Sequence, residues 1–209
     1  MYTKMIKKFI DEHIGEIFDA SYLYEKFFQL IPNKTYLKII ERLVDEGSLQ
    51  RISKGVYLIG EQKDGVDPIL EFYTSNYSGM IIGNRMYYEL GLIDSLGEEI
   101  ELLTSRITTS TKNINNYKLR YVCMFFTPGM IEVIQGLECI ARFSGLYEAN
   151  HIKLVAVIER MIESYKDFSF KTIVQNLKYD YVTIKTLAKL LNEQNIINKA
   201  IEIYEESTK

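Results

Sequence analysis

Apolar positions fall into runs with two different periods, and their order predicts an α+β chain in which helices predominate. Met5, Ile6, Phe9, Ile10 and Ile14 recur at helical spacing between Lys4, Lys7, Lys8 and Asp11, which predicts an amphipathic helix over residues 2–14, ended by Gly15. Ile17 and Phe18 read as a short extended stretch. Asp19 is placed to cap a helix over residues 20–28, with Leu23 and Phe27 on its apolar row. After Pro32, Asn33 can cap a helix over residues 34–46, closed by Gly47. Leu37, Ile39, Ile40, Leu43 and Val44 form its inner face; Lys34, Thr35, Lys38, Glu41, Arg42 and Asp45 remain outside. The apolar runs 49–52 and 56–59 flank Ser53, Lys54 and Gly55, a hairpin signal because glycine takes the left-handed conformation without steric cost.

The predicted order of residues 1–60 is helix, short strand, helix, helix, hairpin, the order of a winged helix-turn-helix. Such a module lays its second helix-turn-helix helix, here residues 34–46, in the major groove. Asn33, Lys34, Thr35, Tyr36, Lys38 and Arg42 have side chains suited to phosphates and base edges, and Gln50, Arg51, Ser53 and Lys54 would add backbone contacts from the wing. Each has a plainer reading. The charged residues fit a solvated helix face and a soluble hairpin, and Tyr36 serves equally well as cover for the domain core.

A polar, glycine-containing linker, GEQKDGVD at residues 60–67, separates this part from a second domain over residues 66–209. Its first portion, residues 66–126, reads as a small α+β unit. A helix opens at Asp67 and runs through Tyr73, and residues 80–82 form a strand. Residues 84–91 form a short helix with Met86, Tyr87 and Leu90 inward. Strands follow over 99–103 and 114–122, with a loop at 104–113 and residues 123–126 prolonging the second strand. The remaining portion, residues 127–209, is helical, with segments at 129–146, 151–165, 168–177 and 182–193 and a tail from Lys199.

Composition narrows the function classes. The 209 residues are 47% hydrophobic and 25% charged, an ordinary globular balance. The net charge of −3 does not by itself point to nucleic acid, but residues 33–54 hold five basic side chains against three acidic ones. A DNA-reading module needs only such a local excess. No apolar run approaches the length of a membrane span, and the first residues, with Asp11 and Glu12, do not resemble a secretory signal. Cys123 and Cys139 read as buried thiols of a reducing compartment, so a cytoplasmic location is expected. His13 and His151 lack metal-ligand spacing. Gly79, Gly83 and Gly91 fit no phosphate-binding loop, and Asp64 and Asp67 sit in the linker. No cofactor, metal or enzymatic activity is expected. Arg85, Arg106, Lys112, Lys118 and Arg120 read as contacts to DNA or to an acidic partner, or as a scattered solvated surface. Lys171, Lys178, Lys185 and Lys189 could share a face only on a continuous helix, which Asp180 and Tyr181 interrupt.

Residues 37–59, LKIIERLVDEGSLQRISKGVYLI, resemble the third helix and wing of the AbiEi-type abortive-infection antitoxins: a Leu-rich helix, a glycine, a short strand, a basic turn and Gly-x-Tyr, here Gly55, Val56 and Tyr57. Residues 80–104, MIIGNRMYYELGLIDSLGEEIELLT, look like the unit that follows in that family, with a small helix ending in Gly91 and Leu92 and a strand ending in Thr104. The basic strand at 112–122 fits as well, and the likeness spans residues 20–125. Asn84 stands where the family pattern has a small polar residue such as serine, and the helix at 84–91 is rich in tyrosine rather than alanine. The resemblance implies a type IV toxin–antitoxin system. Its antitoxin represses its own promoter by binding double-stranded DNA, and its C-terminal part acts against a nucleotidyltransferase-like toxin. Two alternatives stay open: a winged-helix regulator with an unrelated sensory or interaction domain, and a winged helix used for protein contacts alone. The oligomeric state is not read from the sequence.

Overall fold

The computed structural model describes residues 2–62, 64–142 and 150–208. The first unit starts with α1 (Tyr2–Glu12), which buries Ile6 and Ile10. Gly15, at φ 84°, turns the chain, and its amide donates to the Ile59 carbonyl at 2.7 Å. Strand β1 (Ile17–Asp19) follows. Asp19 caps α2 (Ala20–Leu23) by accepting the Tyr22 amide, and the chain then widens into a π-helical turn, Tyr24–Phe28. A π turn spaces its contacts five residues apart. Phe28, not the expected Phe27, therefore follows Leu23 into the core, and Phe27 is left 61% exposed.

Helix α3 (Asn33–Asp45) begins one residue earlier than expected. Pro32 holds the cap position, its carbonyl accepting from the Thr35 and Tyr36 amides at 2.8 and 3.0 Å, and no side chain caps the helix. Asn33 is thus the first helical residue and not the cap. The buried stripe is Tyr36, Ile39, Ile40 and Leu43. Tyr36 is drawn inward by the hydrogen bond from its hydroxyl to the Ala20 carbonyl, 2.9 Å. Leu37, about 100° further round the helix, is turned outward against expectation. Strands β2 (Leu49–Ser53) and β3 (Val56–Ile59) form a hairpin around Lys54 and Gly55, with a bulge between Arg51 and Ser53. The antiparallel sheet order is β1-β3-β2.

The middle unit opens with α4 (Pro68–Thr74), capped by Asp67, and a 3-10 turn, Ser75–Tyr77. Strand β4 (Gly79–Ile82), helix α5 (Gly83–Glu89) and strands β5 (Ile100–Thr104), β6 (Thr111–Ile114) and β7 (Tyr117–Tyr121) follow. Their sheet order is β4-β5-β7-β6, with β5 and β7 parallel. Only glycine fits position 79, where a Cβ would stand 2.3 Å from the Tyr73 carbonyl oxygen and 2.4 Å from that of Leu103. The strand expected over 114–122 starts later, as β7 at Tyr117, and ends at Tyr121. Asn115, at φ 51°, and Asn116 turn the chain, and the expected loop contains β6. Residues 123–126 do not prolong β7.

Five helices complete the described chain: α6 (Pro128–Ala141), α7 (His151–Ser164), α8 (Asp167–Asn176), α9 (Tyr181–Glu193) and α10 (Ala200–Ser207). The end of the helix expected over 129–146 lies outside the described residues. Asp180 caps α9 through the Thr183 amide, which accounts for the break foreseen there. These helices share one apolar core with β4 and α5, while α1, α2 and α3 enclose another. A third cluster joins the two ends of the linker: Ile17 and Val56 pack with Ile69, Tyr73, Ile114, Tyr117 and Leu119.

The two thiols differ. Cys139 is fully buried on α6, and burial, with Glu138 beside it, pushes its pKa up to about 12. Cys123 is exposed, contrary to expectation, because the segment after β7 leaves the sheet. A thiolate-specific reagent such as DTNB should therefore consume one thiol per native chain and the second only after unfolding. Two rapid equivalents from the native protein would contradict the burial of Cys139.

Candidate nucleic-acid interface

The expected DNA-facing residues divide into three groups. On α3, Asn33, Lys34, Thr35, Lys38 and Arg42 are exposed. Lys34, Lys38 and Arg42 are spaced by four and form one row along the helix. Glu41 and Asp45 flank the C-terminal half of that row. The basic character is therefore concentrated in the first two turns, where the uncapped positive end of the helix dipole adds to it. Glu46 accepts an ion pair from Lys7 of α1 at 2.7 Å. Among the described residues, Lys34, Lys38, Arg42, Arg51 and Lys54 form no ion pair, as is also true of Arg120 and several exposed cations of the C-terminal helices, whereas Arg85, Lys112, Lys118, Arg142 and Lys189 each have a carboxylate partner.

The hairpin supplies the second group. Arg51 and Lys54 are exposed and Ser53 is half-buried. Gln50 and Arg51 are neighbours on a strand and so fall on opposite faces. Gln50 opens onto a cleft with Gln62, Asp67, Asn115 and Tyr117, away from Arg51.

Tyr36 forms the third group alone, and the structure removes it from the contact set. It is 1% exposed, lies against the Tyr24 and Phe28 rings, and donates its hydroxyl to Ala20. Burial, with Asp19 nearby, holds its pKa well above the ordinary phenol value.

Compared with known proteins, the chain matches no family model and no curated protein.

Sequence reasoning missed the junction between the first unit and the middle unit. Asp19 is 1% exposed, and its Oδ2 accepts from the Tyr73 hydroxyl at 2.6 Å and from Lys112 Nζ at 2.7 Å. Its Oδ1 caps α2. Arg106 donates through Nη1 to the Phe72 carbonyl, 2.6 Å, and to Ser75 Oγ, 3.2 Å, and lies over the Phe72 ring. Lys112 and Arg106 are thus not scattered surface charges. Only the capping role of Asp19 had a local sequence signal; its partner Lys112 lies 93 residues away. Tyr117 adds a hydrogen bond to Asp67.

His13 donates Nδ1–H to the Phe9 carbonyl and stacks on the Phe9 ring, closing α1. Among the described residues, no three His, Cys, Asp or Glu side chains converge as a metal site, and no helix is long and apolar enough to cross a membrane.

Proposed function

We propose that this chain is a cytoplasmic, non-enzymatic repressor that binds double-stranded DNA at its own promoter. Residues 1–60 act as a winged helix-turn-helix with α3 as the reading helix. The observation that carries this reading is the placement of the exposed cations Lys34, Lys38, Arg42, Arg51 and Lys54 on α3 and the hairpin that follows it, none of them spent on an ion pair among the described residues. Cations already neutralised within the protein release few counterions from DNA; unneutralised ones release them fully. Lys34 and Lys38 stand beside the helix start, where side chains reach base edges in this mode of docking. The middle and C-terminal parts serve as the antitoxin portion of a type IV pair, directed at a nucleotidyltransferase-like toxin. That role rests on the likeness of residues 37–59 and 80–104 to the AbiEi-type antitoxins.

Binding to the promoter fragment across a salt series tests the reading, beside a Lys34→Ala/Lys38→Ala/Arg51→Ala variant. The variant should bind at least about tenfold more weakly, and its log K against log salt slope should be shallower by about 0.9 for each lost phosphate contact. No complex at low salt, or equal binding by the variant, would overturn it. The antitoxin role is tested separately by co-expression with the product of the adjacent gene, whose toxicity should be relieved.

A further inference from the structure

Between the first and middle units, α1, β1 and α2 face the end of α4 and the loop after β5 across a pocket of about 210 Å³. Its walls include Phe9, Tyr22 and Phe27 from one unit and Phe72 from the other, with Ile17 and Leu23 buried among its lining residues. Arg106, His13 and Glu16 supply its charged and titratable groups. We propose that this pocket binds a single-ring aromatic carboxylate, the ring among the aromatic walls and the carboxylate on Arg106.

Size sets the first limit. Pockets for drug-sized ligands occupy about 300–1,000 Å³ and favour domain junctions; this one is smaller, which restricts the occupant to one ring. The walls set the second. Phe9 and Phe27 stand 6.0 Å apart, centre to centre, and Tyr22 meets Phe72 edge-on at 6.1 Å, so the rings border the opening from both units. Phe27 remains 61% exposed because the π turn directs it away from the core of its own unit.

Arg106 sets the charge. Its guanidinium is half-buried and fixed, with Nη1 committed to Phe72 and Ser75 and its plane centre 5.1 Å from the Phe72 ring. No carboxylate lies within ion-pair distance of it among the described residues. Its Nε and Nη2 are left with the two-pronged donor geometry that suits a carboxylate. Glu16 in the same pocket disfavours a second negative charge, so a monoanion fits better than a dianion. The adjoining backbone is also unusual. Asn76, which lines the pocket, and Tyr77 are consecutive non-glycine residues in the left-handed region, at φ 55° and 59°. Such conformations concentrate at ligand clamps and switch regions.

The proposal is independent of whether α3 reads DNA. Its test is titration of the full-length, ¹⁵N-labelled protein with benzoate and 4-hydroxybenzoate, and with neutral benzamide as control, followed by NMR shifts and calorimetry. Both acids should shift amides on the two sides of the pocket, around Phe27 and around Phe72 and Arg106, with benzamide at least tenfold weaker. Arg106→Gln should lower acid affinity at least tenfold, and Lys118→Gln should leave it unchanged. Because Arg106 also braces α4, Phe27→Ala is the second variant; it removes one exposed wall and should weaken acid binding severalfold without changing the unfolding midpoint. No shift at millimolar acid, equal binding of benzamide, shifts confined to the cations of α3, or full affinity in Phe27→Ala would overturn the proposal.

Discussion

Replacing Asp19 with alanine should destabilise the protein by about 3–5 kcal/mol, the cost typical of removing one partner from a buried ion pair. The carboxylate is 1% exposed and accepts from Tyr73, Lys112 and the Tyr22 amide. Without it, the Tyr73 hydroxyl, on a fully buried residue, has lost its acceptor, and the Lys112 ammonium, on a side chain 18% exposed, has lost its counter-charge. The α2 cap disappears as well. Asp19→Asn keeps one neutral acceptor oxygen, which can serve the cap or Tyr73 but not both, so it should lose somewhat less. In the double variant Asp19→Ala/Lys112→Met the losses should be less than additive, since the stranded charge is removed too. Lys7→Ala is the contrasting control, because the Lys7–Glu46 pair is solvent-exposed and such pairs contribute about 0–1 kcal/mol. Urea midpoints followed by circular dichroism measure these four variants and the Lys112→Met single variant that completes the cycle. An Asp19→Ala protein within about 1 kcal/mol of the parent would mean that the junction does not hold the two units together.

Raising the pH should unfold the protein over a narrow alkaline range. Burial, with a carboxylate nearby in every case, raises the phenol pKa of Tyr36, Tyr73, Tyr87, Tyr117, Tyr165 and Tyr179 well above its ordinary value of 10.0. In the unfolded chain these phenols ionise near pH 10. The folded state then binds more protons than the unfolded one, so stability is intact below pH 10 and falls as the pH rises towards the folded-state values. Each phenol held neutral costs about 1.4 kcal/mol per pH unit above 10, and six together cost about 8. Total stability of a typical protein is only about 5–15 kcal/mol. Loss of ellipticity should therefore coincide with a steep step in tyrosinate absorbance one to two pH units above 10. A single shallow absorbance curve centred near 10, with ellipticity intact, would contradict the burial of these rings.

What could be read from the sequence was what depends on neighbours along the chain. The helices α7, α8 and α9 and the β2–β3 hairpin follow apolar periods, glycines and caps, and Asp19 and Asp67 stand where short-range capping rules place them. The exposed cations of α3 were legible for the same reason, since a helical period separates inner from outer positions. Features that depend on remote partners were not legible. Tyr36 and Leu37 compete for one inward position, and a hydrogen bond to Ala20, sixteen residues away, decides the outcome. The π turn at Tyr24–Phe28 changes the period within a single helix and exchanges Phe27 for Phe28. Strand β6, Thr-Lys-Asn-Ile, has almost no apolar signature, although the two asparagines after it carried a turn signal. The junction pairs an aspartate with a lysine 93 residues later, and no local pattern connects them.

That separation bears on how the chain is made. Ribosomes add about 5–20 residues each second, so Lys112 leaves the exit tunnel roughly 5–20 s after Asp19. During that interval the first unit has emerged while the acidic group at its base lacks the cation that later seals it, and for the first half of the interval the Tyr73 phenol as well, and Ile17 and Val56 are only partly covered. The nascent N-terminal portion is thus exposed to proteases and holding chaperones until β6 arrives, and the growing sheet, rather than the basic helix, sets the moment at which that portion is secured.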